Sequence, residues 1–174
     1  QELGEEDNFW KAGPTGPCGL NTELYLDRGE AFGPPGGPAT GGDRFLEFWN
    51  LVFMQFDRQE DGTLKNLPAP SVDTGAGLER LAVVKQEVLS NYDTDLLRPI
   101  VELAGEIAGK KYGQTQAPDD TSMRVIADHA RLTAFLLSEG VSPDKGGAPY
   151  VLRRVMRRAI RHGYRLGIEE PFLY

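Results

Sequence analysis

The stretch that most constrains the fold is RFLEFWNLVFMQFDRQ, residues 44–59. It is dense in aromatic and aliphatic side chains, which include Phe45, Phe48, Trp49, Val52, Phe53 and Phe56. A run of this kind that ends at turn residues, here EDGT at 60–63, is typical of a buried β-strand. Periodicity alone leaves a helix open, because short apolar runs fit both structures.

The order of the other elements places strands before helices. Alternation in TELYLD (22–27) predicts a strand, and LKNLPAPS (64–71) is extended because Pro68 and Pro70 disfavour a helix. The Gly- and Pro-rich residues 29–43 predict a long surface loop. Helical spacing begins after Gly77. Further helices are predicted from about Thr94 to Gly109, from a cap at Thr121 or Ser122 to Gly140, and over about 150–162. We therefore predict an α+β fold with an appended helical part.

Composition excludes several classes of protein. The chain has 174 residues, 40% of them hydrophobic, which suffices for one sizeable core or one domain plus part of another. No apolar run has the length of a membrane span, so we expect no membrane association, and no signal-peptide pattern is present. The first residue is Gln1 rather than Met, from which we expect a fragment of a longer protein.

Cysteine and histidine are scarce. A single cysteine, Cys18, excludes an internal disulfide and favours a reducing cytoplasm. Together with His129 and His162 it shows no metal-ligand spacing, so we expect no structural zinc and no metal site of these residues. We interpret Cys18 as structural within a Gly-Pro turn and His129 as a packed or hydrogen-bonded core residue.

The net charge of −7 is unevenly distributed. Residues 1–120 carry 21 acidic and 10 basic side chains, whereas residues 121–174 carry 5 acidic and 9 basic ones. A basic tail on an acidic body indicates that the C-terminal part meets an anion such as nucleic acid.

The stretch SVDTGAGLER, residues 71–80, combines an acid, two glycines and a cation. It is neither a P-loop nor a dinucleotide fingerprint, since it lacks the Lys-Ser or Lys-Thr pair and the third glycine. Asp73 can bind an ammonium group, and Arg80 can bind a phosphate or stack on a flat ring. A strand-to-helix turn with a surface ion pair is an equally good interpretation of the local pattern.

The basic helix YVLRRVMRRAIRHGYR, residues 150–165, places arginines on one side. Arg153, Arg157 and Arg161 form one stripe, and Arg154, Arg158 and Arg165 form a second beside it. The predicted apolar side consists of Leu152, Val155, Met156, Ala159 and Ile160. Phosphate contact with an RNA helix is one interpretation. A solvated basic face, or ion pairs with the acidic body, is the other.

Several segments together resemble the alanyl-tRNA synthetases, which are class II aminoacyl-tRNA synthetases. They are DNFW (7–10), TGPCG (15–19), GDRFLEFWNLVFMQFDRQ (42–59), PSVDTGAGLERLA (70–82), RVIADHARLTAFLLSEGV (124–141) and YVLRRVMRRAIRHG (150–163). The resemblance covers nearly the whole chain, in the family's order, and GAGLER is similar to the third class II signature. It implies residues 1–112 as the later part of an antiparallel-sheet catalytic core. Residues 113–174 would begin the helical tRNA-recognition domain.

The same resemblance implies roles for individual residues. Alanine would be bound by Trp10, Asn50, Asp73 and Gly75, and ATP by Arg80 and Gly77. The tRNA acceptor stem would be contacted by Arg153, Arg154, Arg157, Arg158, Arg161 and Lys145. No protein nucleophile is needed, because catalysis is mainly positioning and charge stabilisation. ATP and Mg²⁺ are the implied co-reactants, and zinc belongs to parts of the family protein outside this chain.

The chain departs from the family pattern at two places. Residues 19–23 are GLNTE, where the family usually has Gly-Pro-Cys-Ser-Glu, so only Gly19 and Glu23 are kept. Lys145 stands where the family has the asparagine that reads a G·U pair. Because lysine donates but cannot accept hydrogen bonds and attracts any phosphate, G·U readout by this loop is open.

Three functions are compatible with these patterns. The first is a fragment of a ligase that activates alanine with ATP and transfers it to tRNA; alone, it should have little activity. The second is a synthetase-derived RNA-binding module without catalysis. The third, a helical adaptor with a basic face, leaves residues 71–80 unexplained. If the first half of the core is absent, the exposed sheet edge should make the chain prone to association, and an oligomer of the parent would form through regions outside this chain.

Overall fold

The computed structural model describes residues 1–173. The chain forms two compact units, residues 1–89 and the residues from Ser90 onward. The first unit is built on a β-sheet and the second on helices, which confirms the predicted α+β class. The predicted division of function at residues 112 and 113 is a different boundary and stays a prediction.

The first unit contains an antiparallel sheet with the strand order β1-β2-β3-β4. The strands are β1 (Phe9–Lys11), β2 (Gly16–Asp27), β3 (Phe45–Arg58) and β4 (Leu64–Ala76). A short helix, α1 (Glu5–Asn8), precedes β1, and α2 (Leu78–Gln86) follows β4. The strands predicted at 22–27 and 44–59, the extended segment at 64–71 and the helix after Gly77 are thus confirmed.

The prediction that residues 44–59 form a buried strand is right about the strand and wrong about its burial. They form β3, but only Val52 is buried, and Trp49 and Phe53 are each 38% exposed. Side chains of a strand alternate between two faces, and each face needs its own cover. The helices of this unit are α1 with 4 residues and α2 with 9, too short to cover both faces.

The predicted loop at 29–43 is confirmed and is held at its base by one arginine. The buried Arg44 donates from Nε and Nη2 to the two carboxylate oxygens of Asp27, at 2.7 and 2.9 Å. It also donates from Nη1 to the carbonyl of Gly33 at 3.1 Å. A bidentate pair of this geometry fixes the loop where β2 ends and β3 begins.

The second unit packs three helices, α3 (Arg98–Ile107), α4 (Pro118–Ser138) and α5 (Gly147–Leu166). Its apolar core consists of Val101, Ala104, Tyr112, Met123, Ile126, Ala127, Leu166 and Ile168. Among the described residues, no helix combines the length and apolar character needed to cross a bilayer.

All three helix boundaries differ from the sequence prediction. Helix α3 begins at Arg98 rather than Thr94, because a 3₁₀ turn and then Pro99 in the first turn delay it. Helix α4 begins at Pro118, so neither Thr121 nor Ser122 is its cap. Proline at the first helical position and acids in the first turn mark this start. Helix α5 extends beyond 150–162 at both ends, and Gly167, whose φ is 92°, caps its C-terminus.

A buried carboxylate ties the segment before α4 to that helix. Asp120 accepts hydrogen bonds from the amide N–H groups of Gly113 and Thr115, at 2.9 and 2.7 Å, and from Thr115 Oγ1 at 2.6 Å. Burial alone would raise the pKa of Asp120, but these bonds outweigh it and hold the pKa below its ordinary value.

Candidate substrate site and basic helix

Two rows of paired residues cross the sheet of the first unit. Glu23 pairs with Asn50, and Asn50 pairs with Gly75. In the neighbouring row, Asn21 pairs with Val52, and Val52 pairs with Asp73. Directly paired residues of antiparallel strands point to the same face, and so do residues two apart on a strand. The structure therefore brings Asn50, Asp73 and Gly75, all predicted to bind alanine, onto one face.

Glu23 is the centre of a hydrogen-bond network on this face. Its Oε1 accepts from Asn21 Nδ2 and from Asn50 Nδ2, both at 3.0 Å, and its Oε2 accepts from the Tyr25 hydroxyl at 2.5 Å. Burial first, and then the bond to Glu23, raises the pKa of Tyr25. The hydroxyl is therefore protonated and a donor at neutral pH.

The end of β4 leaves room beside these polar groups. A Cβ built on Gly75 would meet no atom within 4 Å, so the space above this residue is open. Asp73, two residues before it, is exposed on the same face. Neither Gly75 nor Gly77 has a positive φ, so these glycines are not required by backbone conformation. Space for a neighbour or a ligand is the remaining physical reason for glycine here.

Arg80 lies in the first turn of α2 and reaches back to β3. Its Nη1 donates to the carbonyl of Glu47 at 2.7 Å and lies 3.4 Å from Glu47 Oε2. A Cβ on Gly77 would come within 3.3 Å of Arg80 Cδ, so a side chain at residue 77 would crowd the arginine. The Arg80 side chain is 43% exposed, so solvent or a ligand can reach part of it.

Trp10 lies two strands away from Asn50 in the sheet. It is on the edge strand β1, paired with Gly19 of β2, and β2 separates it from Asn50 on β3. Gly19 is itself held in a close approach of two strands, because a Cβ there would be 1.8 Å from the Phe53 carbonyl oxygen. No larger residue fits at this position without a shift of backbone.

The arginines of α5 form one stripe rather than two. Arg154, Arg157, Arg158, Arg161 and Arg165 are all exposed, at spacings of three or four residues. The buried residues Leu152, Ala159, Gly163 and Leu166 lie on the opposite side of the helix. Arg153 is only half-buried and flanks the stripe. Ile160, predicted on the apolar side, is 50% exposed, because it lies outside the arc that packs.

Two other predicted residues of this unit have clear positions. Lys145 is exposed in the loop before α5, where its own N–H donates to Asp144 Oδ1 at 2.7 Å. His129 is buried, with Nδ1 2.9 Å from Asp128 Oδ2 and Nε2 3.4 Å from Arg158 Nη1. The prediction of a hydrogen-bonded core histidine is confirmed. Cys18 is free and buried, within β2 rather than in a turn.

The polar residues that surround the predicted ones, Asn21, Glu23 and Glu47, are not among the predicted site residues. Glu23 keeps the family pattern, and Asn21 departs from it. A signal existed in the alternation of Asn21, Glu23 and Tyr25 along β2, which places three polar groups on one face. Among residues 1–173, no group of three or more His, Cys, Asp and Glu side chains is placed to hold a metal ion.

Comparison of the sequence with known proteins identifies its family. The family model for class II (A) tRNA synthetases matches residues 1–174. Proteins named alanine–tRNA ligase are similar throughout: that of Sorangium cellulosum is 58% identical over 99% of this chain, and that of Methylococcus capsulatus is 57% identical over 99%. That of Acidithiobacillus ferridurans is 56% identical over 98%. The chain spans about a fifth of the length of these relatives, 19% of the first and 20% of the other two. The chain belongs to the class II (A) tRNA synthetases.

Proposed function

We propose that these residues form the alanine-binding part and the start of the tRNA-binding part of an alanine–tRNA ligase. In its reaction the alanine carboxylate attacks the α-phosphate of ATP, which gives alanyl-adenylate and releases pyrophosphate. A hydroxyl at the 3′ end of tRNA then takes the alanyl group, and AMP is released. The observation that carries the proposal is the pairing of Asn50 with Gly75 beside Asp73 on one sheet face. An RNA-binding module without catalysis is not favoured, because such a module would have no use for this polar face.

Each residue of the alanine site has a separate physical task. Asp73 pairs its carboxylate with the ammonium group of alanine, which selects an amino acid by charge. Asn50 donates an N–H to the alanine carboxylate without adding a charge of its own. The open space at Gly75 accommodates the ligand, and Trp10 supplies an apolar wall. Such a site rejects larger side chains sterically but discriminates weakly against small ones.

ATP is proposed to lie at the start of α2. Arg80 contributes charged donors to a phosphate or stacks on the adenine, and Gly77 keeps the space that this side chain occupies. Magnesium is held in proteins by one or two carboxylates, with phosphate and water oxygens completing the octahedron. Glu47 fits this need, since its carboxylate lies beside Arg80 at the sheet. When bound, the ion would neutralise phosphate charge.

The second unit is proposed to contact the acceptor stem of the tRNA for alanine. The exposed arginines of α5, flanked by Arg153, match a phosphate backbone, and Lys145 adds a further cation in the preceding loop. Since phosphate contacts carry no sequence information, this surface supplies affinity rather than specificity. The reaction would take place in the cytoplasm, and any zinc or oligomer contact would involve other parts of the ligase.

The direct test transplants residues 1–174 into the Acidithiobacillus ferridurans ligase in place of its matching segment. Alanine-dependent exchange of pyrophosphate into ATP should be retained, and Asp73→Asn should abolish it. Asp43→Asn, which changes an exposed carboxylate in the loop before β3, is the matched control and should have no effect. Exchange that depends on another amino acid, or that survives Asp73→Asn, would contradict the proposal.

The tRNA part is tested with the chain itself. Its affinity is measured for two acceptor-stem hairpins, one with a G·U pair and one with G·C, at a single salt concentration. Because Lys145 replaces the asparagine that reads G·U, we expect equal binding. A clear preference for the G·U hairpin would show that specific readout persists in these residues.

A further inference from the structure

We propose that Glu23 is a positioning residue of the alanine site, which fixes the orientation of the Asn50 carboxamide. The inference rests on the proposed function for its consequence in catalysis, but the orientation itself is a property of this chain. Glu23 and Asn50 are cross-strand partners on β2 and β3, so their side chains emerge side by side from the sheet.

The Glu23 carboxylate accepts hydrogen bonds from three side chains and donates none. An ionised carboxylate only accepts hydrogen bonds, so both amides that reach Glu23 must present their nitrogen. Asn21 and Asn50 do so on the same oxygen, Oε1, at 3.0 Å each. Tyr25 occupies Oε2, which leaves the carboxylate little freedom to turn away from the two amides.

The amide oxygens show that this orientation is imposed. Within residues 1–173, the Oδ1 atoms of Asn21 and Asn50 are buried and have no hydrogen-bond partner. A buried acceptor without a donor is unfavourable, and an amide free to rotate would turn its oxygen toward one. Both amides instead keep their nitrogen on Glu23. The strength of a hydrogen bond to a charged acceptor accounts for this choice.

The fixed orientation has a consequence for the ligand. Asn50 Nδ2 has two N–H groups and uses one on Glu23, so the second is held in a defined direction on the site face. If the amide rotated, its oxygen would take that place and repel a carboxylate. Glu23 thus keeps Asn50 a donor toward an anionic ligand group. Asn21, at one of the departures from the family pattern, adds a second bond to the same oxygen.

The test separates positioning from direct charge by comparing two substitutions at residue 23 in the chimeric ligase. Glu23→Leu removes the acceptor. Glu23→Gln keeps it, because the amide can direct its oxygen to Asn21 and Asn50 and its nitrogen to the Tyr25 oxygen. Glu60→Gln in the exposed β3–β4 turn is the matched control and should change nothing. KM and kcat are measured for alanine and for ATP in pyrophosphate exchange.

We expect Glu23→Leu to raise the alanine KM about tenfold, the order lost with one hydrogen bond to a charged group, and to leave the ATP KM unchanged. Glu23→Gln should keep the alanine KM close to that of the original chain. Asn50→Ala with Glu23→Leu should be no worse than Asn50→Ala alone, because residues that act through one another are not additive. Equal loss in both Glu23 variants would mean direct charge contact with substrate, and additive losses would mean independent roles; either overturns the proposal.

A second measurement uses the 174-residue chain and needs no activity. The side-chain amide NMR signals of Asn21 and Asn50 should show slowed hydrogen exchange in the original chain and in Glu23→Gln, and fast exchange in Glu23→Leu. Unchanged exchange in a folded Glu23→Leu variant would overturn the inference even if the chimera were active. An inactive chimera with the expected amide exchange would instead contradict only the proposed function.

Discussion

The buried carboxylate of Asp120 gives the sharpest prediction about stability. In Asp120→Asn, one oxygen is kept, but an NH₂ group replaces the oxygen that accepts from Thr115 N at 2.7 Å and from Thr115 Oγ1 at 2.6 Å. The Thr115 hydroxyl can rotate its proton away. The backbone N–H cannot, so two donors face each other in a buried site where Asp120 is 4% exposed.

The loss of stability in Asp120→Asn follows from the one backbone N–H that is left without an acceptor. One buried donor left without an acceptor costs about 1–3 kcal/mol of unfolding free energy. Because the acceptor that is lost carries a charge, we expect a loss of about 2 kcal/mol. For a unit of roughly 85 residues, each kcal/mol shifts Tm by about 4–8 °C. We therefore expect the Tm of Asp120→Asn to be lower by about 10 °C at pH 7, measured by circular dichroism at 222 nm, which follows α3, α4 and α5.

The pH dependence supplies an independent check. Because the folded state lowers the pKa of Asp120, its ionised form stabilises the fold above the ordinary carboxyl pKa. That contribution is lost as pH falls through the lowered pKa. The free-energy difference between the original chain and Asp120→Asn should therefore be constant from pH 7 to about pH 5 and shrink below about pH 4.

A neighbouring carboxylate is the control for this reasoning. Asp119 also lies in the first turn of α4, but its side chain is 51% exposed and pairs with Lys110 at 2.8 Å. Asp119→Asn should change stability by less than about 1 kcal/mol, as for other surface ion pairs. Equal losses of Tm for the two variants, or a loss in Asp120→Asn that does not depend on pH, would refute the argument.

Three further predictions concern the sheet and the basic helix. Gly19→Ala should destabilise the first unit by more than about 3 kcal/mol in urea unfolding, because its Cβ would collide with the Phe53 carbonyl; a change below 1 kcal/mol would contradict this. At Gly75 there is open space and an ordinary φ, so Gly75→Ala should lose almost no stability in urea unfolding. The alanine KM of the chimeric ligase should rise in this variant. An unchanged KM would show that no ligand occupies the space. The double variant Arg157→Ala, Arg161→Ala should bind an RNA hairpin with a weaker salt dependence. The fall of log affinity with log salt should become less steep by about 2, whichever hairpin is used. An unchanged slope would mean that these two arginines do not contact RNA phosphates.

The sequence allowed the strands and helices to be predicted wherever local signals agreed. Residues 44–59 are bounded by turn residues, and β3 follows those limits closely. Its burial could not be predicted, because burial depends on what covers each face of the sheet. The start of α4 was misplaced because Thr121 and Ser122 are good capping residues. Ser122 instead lies 3.0 Å from His162 of α5, an interhelical contact that no local pattern reveals.

The candidate site could be predicted only as a set of unconnected residues. The motif at 71–80 suggests a ligand role for Asp73, and the resemblance implies the roles of Asn50 and Gly75. Their place on one face agrees with a shared role. The role of Glu23 was not predictable, because it depends on which residue of β3 stands opposite it. That pairing is set by bulges and loop lengths, which the order of residues does not display.

The register irregularities of β2 and β3 bear on how the site can fail. The Glu23–Asn50 pair lies between two of them, one near residues 18–21 and one at residues 24–25. A strand pair without bulges can shift its register by one residue. A pair with two irregularities can shift only if both irregularities are removed. A slip would carry Glu23 and Asn50 to opposite faces, so partially correct folding yields no partly working pocket. Insertions in the loop at 29–43 should therefore be tolerated, whereas deletion of a single residue between Phe45 and Asn50 should abolish amino-acid binding completely.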